Sequence, residues 1–296
     1  MLTITEAEVR RLLPMSDAIQ ALREAFAAWH QGAAQNQPRR RMVLPTGACL
    51  HQLAGAYRGY FGTKIYSTHP QHGAWFHFLL YDAETARPLA LIEADWLGQI
   101  RTGAATGLAT DLLAPTEAHT VGLIGSGFQA AGQLAAVRSV RAIGQVKVWS
   151  RSAAKAAKFA AEHLATAVET AEEAVRDADI VITATSARDA VLQAAWVKPQ
   201  AHVNAVGSNQ AKKRELPTEL IAQAALIAVD SIDQAKLESG DLLLADFDWN
   251  DPRLVELKDV GPRPLTQPRG LTIFKSNGLG LEDVAVAALV YERSRV

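Results

Sequence analysis

The stretch His119-Thr120-Val121-Gly122-Leu123-Ile124-Gly125-Ser126-Gly127-Phe128-Gln129-Ala130 decides the fold of this chain. Its apolar run, Val121 to Ile124, breaks off at Gly125-Ser126-Gly127, and directly afterwards Ala130, Leu134 and Val137 fall on one helical face. That order reads as strand, tight turn, helix. In such a turn Gly125 permits a backbone geometry closed to other residues, and Gly127 lets the chain approach a pyrophosphate. The small Ala130 lets helix and strand pack closely. The amides of the helix N-terminus then face the phosphates. Gly-x-Gly-x-x-Ala recurs by chance in chains rich in glycine and alanine; its place between a strand and a helix makes it a dinucleotide-binding turn.

Working outward, the pattern after Pro115 alternates strand and helix. Val121 to Ile124, Val146 to Trp149, Ile180 to Thr183, His202 to Val206 and Leu226 to Val229 read as strands. Helical patterns stand to about Val140, through Ala161 and over Ala171 to Val175. This alternation builds a parallel sheet. It ends at a link with Gly261, Pro262, Pro264 and Pro268, after which Thr272 to Phe274 is a last strand and Glu282 to Tyr291 a last helix.

Ahead of the turn the chain reads differently. Thr5-Glu6-Ala7-Glu8 is a capping box, Ser16 is placed to cap a second helix with Ile19, Leu22, Phe26 and Trp29 on one face, and Gly32 ends it. Met42 to Leu44, Cys49 to Leu53, Gly62 to Tyr66, Trp75 to Tyr81 and Leu89 to Ile92 read as short strands of an antiparallel or mixed sheet, with a turn at Asp82 to Thr85. Asp95 to Leu113 is helix-compatible and carries Arg101-Thr102-Gly103-Ala104.

Composition narrows the function. The 296 residues exceed one typical domain, and 49% hydrophobic residues, 21% charged and a net charge of -1 describe an ordinary globular protein. No nucleic-acid partner is expected; the basic run Arg39-Arg40-Arg41 is too short for such a patch. The single cysteine, Cys49, cannot form an internal disulfide, and the N-terminus lacks the basic flank and long apolar core of a signal peptide. A cytoplasmic protein is expected. The uncharged run His119 to Val137 holds four glycines and two glutamines, so a nucleotide-binding unit explains it better than a membrane span.

At the end of the second strand of a dinucleotide fold, an acidic residue selects the ribose 2′-hydroxyl and an arginine accommodates a 2′-phosphate. Here that strand runs into Ser150-Arg151-Ser152. Arg151 is suited to pair with the phosphate, with Ser150 and Ser152 donating hydrogen bonds, and NADP(H) is the expected cofactor. Arg40, Lys64 and Arg101 each lie beside an expected strand or helix end; converging, they would hold a substrate carboxylate. His69 and His72 lack accompanying ligands and read as loop histidines, so no metal is expected. Gly-x-Ser-x-Gly is absent, and Cys49 has no catalytic signature around it.

Together these segments resemble the ornithine cyclodeaminase and mu-crystallin family over nearly the whole chain. The resemblance is carried by Gln37-Pro38-Arg39-Arg40, Gly62-Thr63-Lys64, Arg101 to Ala104, Gly125 to Ala130, Glu238-Ser239-Gly240-Asp241, and Phe274-Lys275-Ser276-Asn277-Gly278 with Glu282-Asp283. It implies an α/β fold: a Rossmann dinucleotide-binding domain at 116–275, and a discontinuous α+β substrate and dimerisation domain of 1–115 and 276–296, hence a homodimer. It implies substrate-carboxylate contacts at Arg40, Lys64 and Arg101. Cofactor contacts are expected at Gly125, Ser126, Gly127, Phe128, Gln129, Ala130, Ser150, Arg151, Ser152, Thr185, Ser208, Ser276 and Gly278.

In cyclodeaminases of the family a Gly-x-Asp supplies the aspartate that handles the substrate amine. This chain has Gly207-Ser208-Asn209, and asparagine cannot accept a proton as a carboxylate does. With Lys64 and Asn209 as the expected catalytic residues, the resemblance implies an NADPH-dependent reductase of a cyclic imino acid such as pyrroline-2-carboxylate or piperideine-2-carboxylate. Lys64 supplies a proton or polarises the nitrogen. An alanine-dehydrogenase-like enzyme, ornithine cyclodeaminase itself, and a cofactor-dependent binding protein without turnover are the alternatives.

Overall fold

The structure, a computed structural model, describes residues 1–261 and 270–295. Pro262, Pro264 and Pro268 of the expected link lie outside the described residues. The chain divides into two compact units, one of residues 1–104 with 278–296 and one of residues 105–277.

The first unit opens with β1 (Leu2–Ile4), α1 (Glu6–Leu12) and α2 (Met15–His30). Thr5 and Glu8 form the expected capping box of α1. The second helix, however, starts directly after Pro14, and Ser16 lies inside it, donating to Asp17 instead of capping. Proline has no amide to leave unsatisfied at a helix entrance, and the cap position falls at Pro14, two residues earlier than the serine indicates. Five strands follow as an antiparallel meander: β2 (Ala34–Val43), β3 (Cys49–Tyr57), β4 (Tyr60–His69), β5 (Gly73–Asp82) and β6 (Pro88–Glu93). The strand β1 adds in parallel to β6. These strands outrun their sequence signal because their inner face is not uniformly apolar; on β4 that face is Gly62, Lys64 and Tyr66. The helix α3 (Asp95–Leu113) contains the boundary between the units.

The second unit carries an eight-stranded parallel sheet. It is built in chain order from β7 (Thr120–Ile124), α4 (Phe128–Val140), β8 (Gln145–Trp149), α5 (Ala153–Glu162), β9 (Thr166–Ala167), α6 (Ala171–Val175), β10 (Ile180–Thr183) and β11 (His202–Ala205). Then come α7 (Thr218–Gln223), β12 (Leu226–Val229), α8 (Ile232–Glu238), α9 (Gly240–Leu243), β13 (Leu254–Glu256), α10 (Leu257–Val260) and β14 (Thr272–Lys275). The strand order is β13-β12-β14-β11-β10-β7-β8-β9. Period-two alternation splits the core between its faces: Leu123, Val148 and Ile182 pack with α4 and α5 on one, while Ile124, Val181 and Val203 pack on the other. The elements without a sequence signal, β1, β9, β13 and α7 to α10, are all seven residues or shorter, too short to show a period.

The last helix, α11 (Gly280–Ser294), belongs to the first unit again and packs on β2, β3, β4 and α2. Its first turn comes very close to β3: a Cβ on Gly55 would stand 2.7 Å from the Leu281 nitrogen, and one on Gly280 would overlap the Ala54 carbonyl. Asn36 Oδ1 accepts from the Leu281 amide at 3.1 Å. Two glycines and an asparagine thus seat the helix N-terminus on the sheet. Among the described residues no helix is long and apolar enough to cross a membrane.

Candidate functional site

In the first unit the seating of α11 brings Glu282 and Asp283 to the buried face of the sheet. Both are fully buried, and both lie in the first helical turn, where the macrodipole favours negative charge. Asp283 Oδ1 accepts from Lys64 Nζ at 2.7 Å and from Arg101 Nε at 3.1 Å, while Glu282 Oε2 accepts from Arg101 Nη1 at 2.8 Å. Asp283 Oδ2 is buried and has no hydrogen-bond partner among the described residues. The structure therefore brings together Lys64 and Arg101, with Asp283 shared between them and Glu282 on Arg101.

Lys64 sits between Leu53 and Phe78 on the neighbouring strands. Burial, then the nearby Arg101, pushes its ammonium down to about 8, against the opposite pull of Asp283. Burial also works against the charge on Arg101, but Asp283 and Glu282 outweigh it and hold the guanidinium protonated.

At the third expected cation, Arg40, the structure buries its neighbour. Arg40 is exposed, and Arg39 is the buried one: its Nη2 donates to the Gly278 carbonyl at 3.1 Å, and its charge is felt at Lys64. The pairing of β2 with β3 slips between Gln37 and Arg40, three steps on β2 facing two on β3. This bulge, at Pro38, turns Arg39 inward and Arg40 outward, where an unbroken strand would have done the reverse. Gly278, expected at the cofactor, belongs to this unit and meets the same cluster. Its φ is +82°, and a Cβ there would overlap the Arg101 guanidinium.

His51 and Tyr66 complete the cluster, and sequence reasoning passed over both. Their rings stack at 4.2 Å, Tyr66 stacks on Phe76 at 4.8 Å, and Lys64 Nζ lies 5.8 Å from the Tyr66 ring centre. Burial, with Arg41 and Arg39 adding to it, pushes the His51 imidazole down to about 4, so it is neutral, with Nε2 2.9 Å from Thr68 Oγ1. The available signal was the inward register of Cys49, His51 and Leu53 on β3. His69 ends β4 and His72 stands in the turn that follows, their rings 4.5 Å from each other.

In the second unit the turn after β7 has the expected form. Gly125 has φ +113°, and a Cβ there would overlap the Ala184 carbonyl; at Gly127 nothing lies within 4 Å of a Cβ. The glycine at 125 is thus demanded by the fold, and the one at 127 leaves open space in front of α4. Among the described residues no side chain caps that helix, and Phe128 is half-exposed, Gln129 half-buried and Ala130 buried. At the end of β8, Ser126 Oγ donates to Ser150 Oγ at 3.0 Å, and Ser150 Oγ to the Ser152 carbonyl at 3.1 Å. Ser152 Oγ caps α5, so it serves the helix, while Arg151 is exposed.

The ends of β10, β11 and β14 are tied by buried charges. Thr185 donates both its amide and its hydroxyl to Glu215, and Ser208 donates its hydroxyl to the Lys213 carbonyl. Ser276 is buried, its Oγ 3.4 Å from Asp230, and Asn209 is half-buried in the loop after β11. Sequence reasoning missed Glu215, and used Asp241 and Lys275 only as parts of motifs.

The pattern of the ornithine cyclodeaminase/mu-crystallin family matches residues 1–296. A Δ1-pyrroline-2-carboxylate reductase of Bacillus cereus is 37% identical over 99% of this chain and 97% of its own. The structure of Thermococcus litoralis Δ1-pyrroline-2-carboxylate reductase, in complex with NADH and L-proline, superposes with a TM-score of 0.94 at 30% identity, covering 100% of this chain and 98% of that one. An archaeal alanine dehydrogenase dimer with bound NAD does so with a TM-score of 0.93 at 32% identity, covering 100% and 96%. The chain belongs to the ornithine cyclodeaminase/mu-crystallin family.

Proposed function

We propose that this member of the ornithine cyclodeaminase/mu-crystallin family is an NADPH-dependent reductase that converts a cyclic imino acid, pyrroline-2-carboxylate or piperideine-2-carboxylate, to the cyclic amino acid. The observation that carries the reading is the buried cluster of the first unit. It holds three buried cationic side chains, Arg39, Lys64 and Arg101, and two buried carboxylates, Glu282 and Asp283, which pair with Lys64 and Arg101. Arg39, Lys64 and Arg101 suit a substrate carboxylate as their ligand. Similarity to two pyrroline-2-carboxylate reductases supports the substrate class.

The residues divide the work as follows. Arg39 and Arg101 hold the carboxylate, with Arg101 fixed by Glu282. Lys64, held by Asp283 and lowered to about 8, gives a proton to the imine nitrogen. The open Asp283 Oδ2 is an acceptor for the resulting N–H. Neutral His51 and the Tyr66 ring offer an uncharged wall to the ring carbons. Asn209 orients through hydrogen bonds and takes no proton, which favours reduction over deamination.

The turn from Gly125 to Ala130 would hold the dinucleotide pyrophosphate, and the open space at Gly127 fits that use. When bound, the dinucleotide supplies the hydride that reduces the imine carbon. The choice of NADPH over NADH rests on Arg151 and on the lack of a carboxylate in Ser150-Arg151-Ser152. A homodimer is part of the proposal; exposed Met42, Val43 and Trp75 on β2 and β5 of the first unit and the dimeric alanine dehydrogenase support it.

The deciding experiment follows oxidation of NADPH and of NADH with pyrroline-2-carboxylate, piperideine-2-carboxylate, and pyruvate plus ammonia. Turnover of a ring imine is expected, faster with NADPH. No oxidation of either cofactor refutes the reading; preferred use of pyruvate and ammonia makes the enzyme an alanine dehydrogenase. Conversion of ornithine to proline with release of ammonia makes it a cyclodeaminase.

A further inference from the structure

In the parallel sheet of the second unit, Ile124, Thr183, Ala205 and Lys275 stand in register as the last residues of β7, β10, β11 and β14. The loops leaving this row form the edge where open α/β sheets bind ligands. β8 lies on one side of β7, β10 and β11 on the other; in a dinucleotide fold the β8 side would hold the adenosine half and the β10 side the nicotinamide half.

One buried carboxylate binds the loops on that second side. Glu215 Oε1 accepts from the Thr185 amide and the Thr185 hydroxyl, both at 2.7 Å, and Oε2 accepts from the Gly207 amide at 2.7 Å and from Thr183 Oγ1 at 3.0 Å. The fit is tight: a Cβ on Gly207 would overlap Thr185 and Glu215. Glu215 is held in turn. Its own amide donates to Asp241 Oδ1 at 2.6 Å, Asp241 Oδ2 pairs with Lys275 Nζ at 3.1 Å, and Lys275 Nζ donates to the Ser208 carbonyl. All three charged residues are fully buried. Tying two loops together does not need charge, and buried charge is costly unless its geometry is saturated.

We propose that Glu215, braced by Asp241 and Lys275, is a positioning residue that fixes the Thr185 loop and the Gly207-Ser208-Asn209 loop against the nicotinamide half of the cofactor. The proposal rests on the dinucleotide reading of this unit. The replacement Glu215→Gln keeps the shape but points an NH2 group at donors on one of the two loops, releasing that loop. Thr183→Val removes one donor and leaves both loop amides bonded.

The test compares two ligands by equilibrium titration: 2′-phospho-ADP-ribose, which reaches only the turn and the adenosine side, and NADPH, which spans both. ADP-ribose and NADH serve as the unphosphorylated pair. For Glu215→Gln, affinity for 2′-phospho-ADP-ribose stays within about twofold while that for NADPH falls about tenfold; Thr183→Val lies between this and the unchanged protein. Equal losses for both ligands, or no loss of NADPH in a folded variant, overturn the role of Glu215. If Glu215→Gln does not fold, Thr183→Val decides by the same ratio. Failure of the unchanged protein to bind any of the four ligands refutes the dinucleotide reading instead.

Discussion

Replacing Asp283 by asparagine tests the chemistry of the cationic cluster most directly. Asp283 Oδ1 is shared by Lys64 Nζ at 2.7 Å and Arg101 Nε at 3.1 Å. Burial and Arg101 already hold Lys64 down to about 8, and Asp283 pulls the other way. An opposite charge at this range favours the charged form by about 1–3 pKa units, so its removal lowers Lys64 further by about that much. As the proton donor Lys64 must be protonated, so the rate is full below its pKa and is lost as pH rises through it. For the unchanged enzyme the alkaline limb of kcat/KM falls near pH 8. In Asp283→Asn the limb moves to lower pH. A shift of about one unit lowers the rate at pH ~7.5 roughly threefold, and a shift of about two units roughly 25-fold. Arg101 keeps Glu282 at 2.8 Å, so part of the carboxylate site survives. Breaking a buried pair also destabilises the fold by about 3–5 kcal/mol, so the profile is measured well below the melting temperature of the variant. The assay is initial NADPH oxidation with pyrroline-2-carboxylate from pH ~5.5 to ~9.5. An alkaline limb that stays near 8 in the folded variant refutes the assignment of Lys64 as the titrating donor.

The two glycines of the dinucleotide turn are expected to respond in opposite ways. Gly125→Ala forces a side chain into φ +113° and against the Ala184 carbonyl, so urea unfolding shows a loss of about 2 kcal/mol or more. Gly127→Ala meets nothing within 4 Å, so its unfolding midpoint is unchanged while NADPH binding, followed by fluorescence titration, is lost. Arg151→Ala is expected to weaken NADPH about 10- to 100-fold with little effect on NADH, a loss of about 1.4–2.7 kcal/mol for one charge-assisted phosphate contact; equal losses for both cofactors would remove Arg151 from the 2′-phosphate. Arg39→Ala raises the KM for the imino acid at least about tenfold, and Arg40→Ala leaves it within about twofold, since only Arg39 is buried beside Gly278. The reverse pattern would restore Arg40.

Interactions local in the chain could be read from sequence. The turn at Gly125 to Gly127, the capping box at Thr5 and the long helices depend on residues a few positions apart, whose propensity, period and spacing are printed in the chain. The short elements from α7 to α10 escaped, because a handful of residues carries no period. In the candidate site, Lys64 and Arg101 stood out in the sequence because a motif marked each as a single residue. The site was not legible where one residue of slip decided: three arginines follow Pro38, and only the bulge against β3 selects Arg39 over Arg40.

By itself, then, the sequence determined the class of fold, the phosphate-facing turn and the kinds of charge the site would use, because each depends on neighbouring residues and on the family's motifs. The tertiary structure alone decided which charges meet. Lys64 finds Asp283 across 219 positions, and Glu215 gathers Thr183, Thr185 and Gly207 under a lysine from the last strand. A buried charge is tolerable only where its partners converge, and convergence across strands is a property of packing and register that no local pattern encodes.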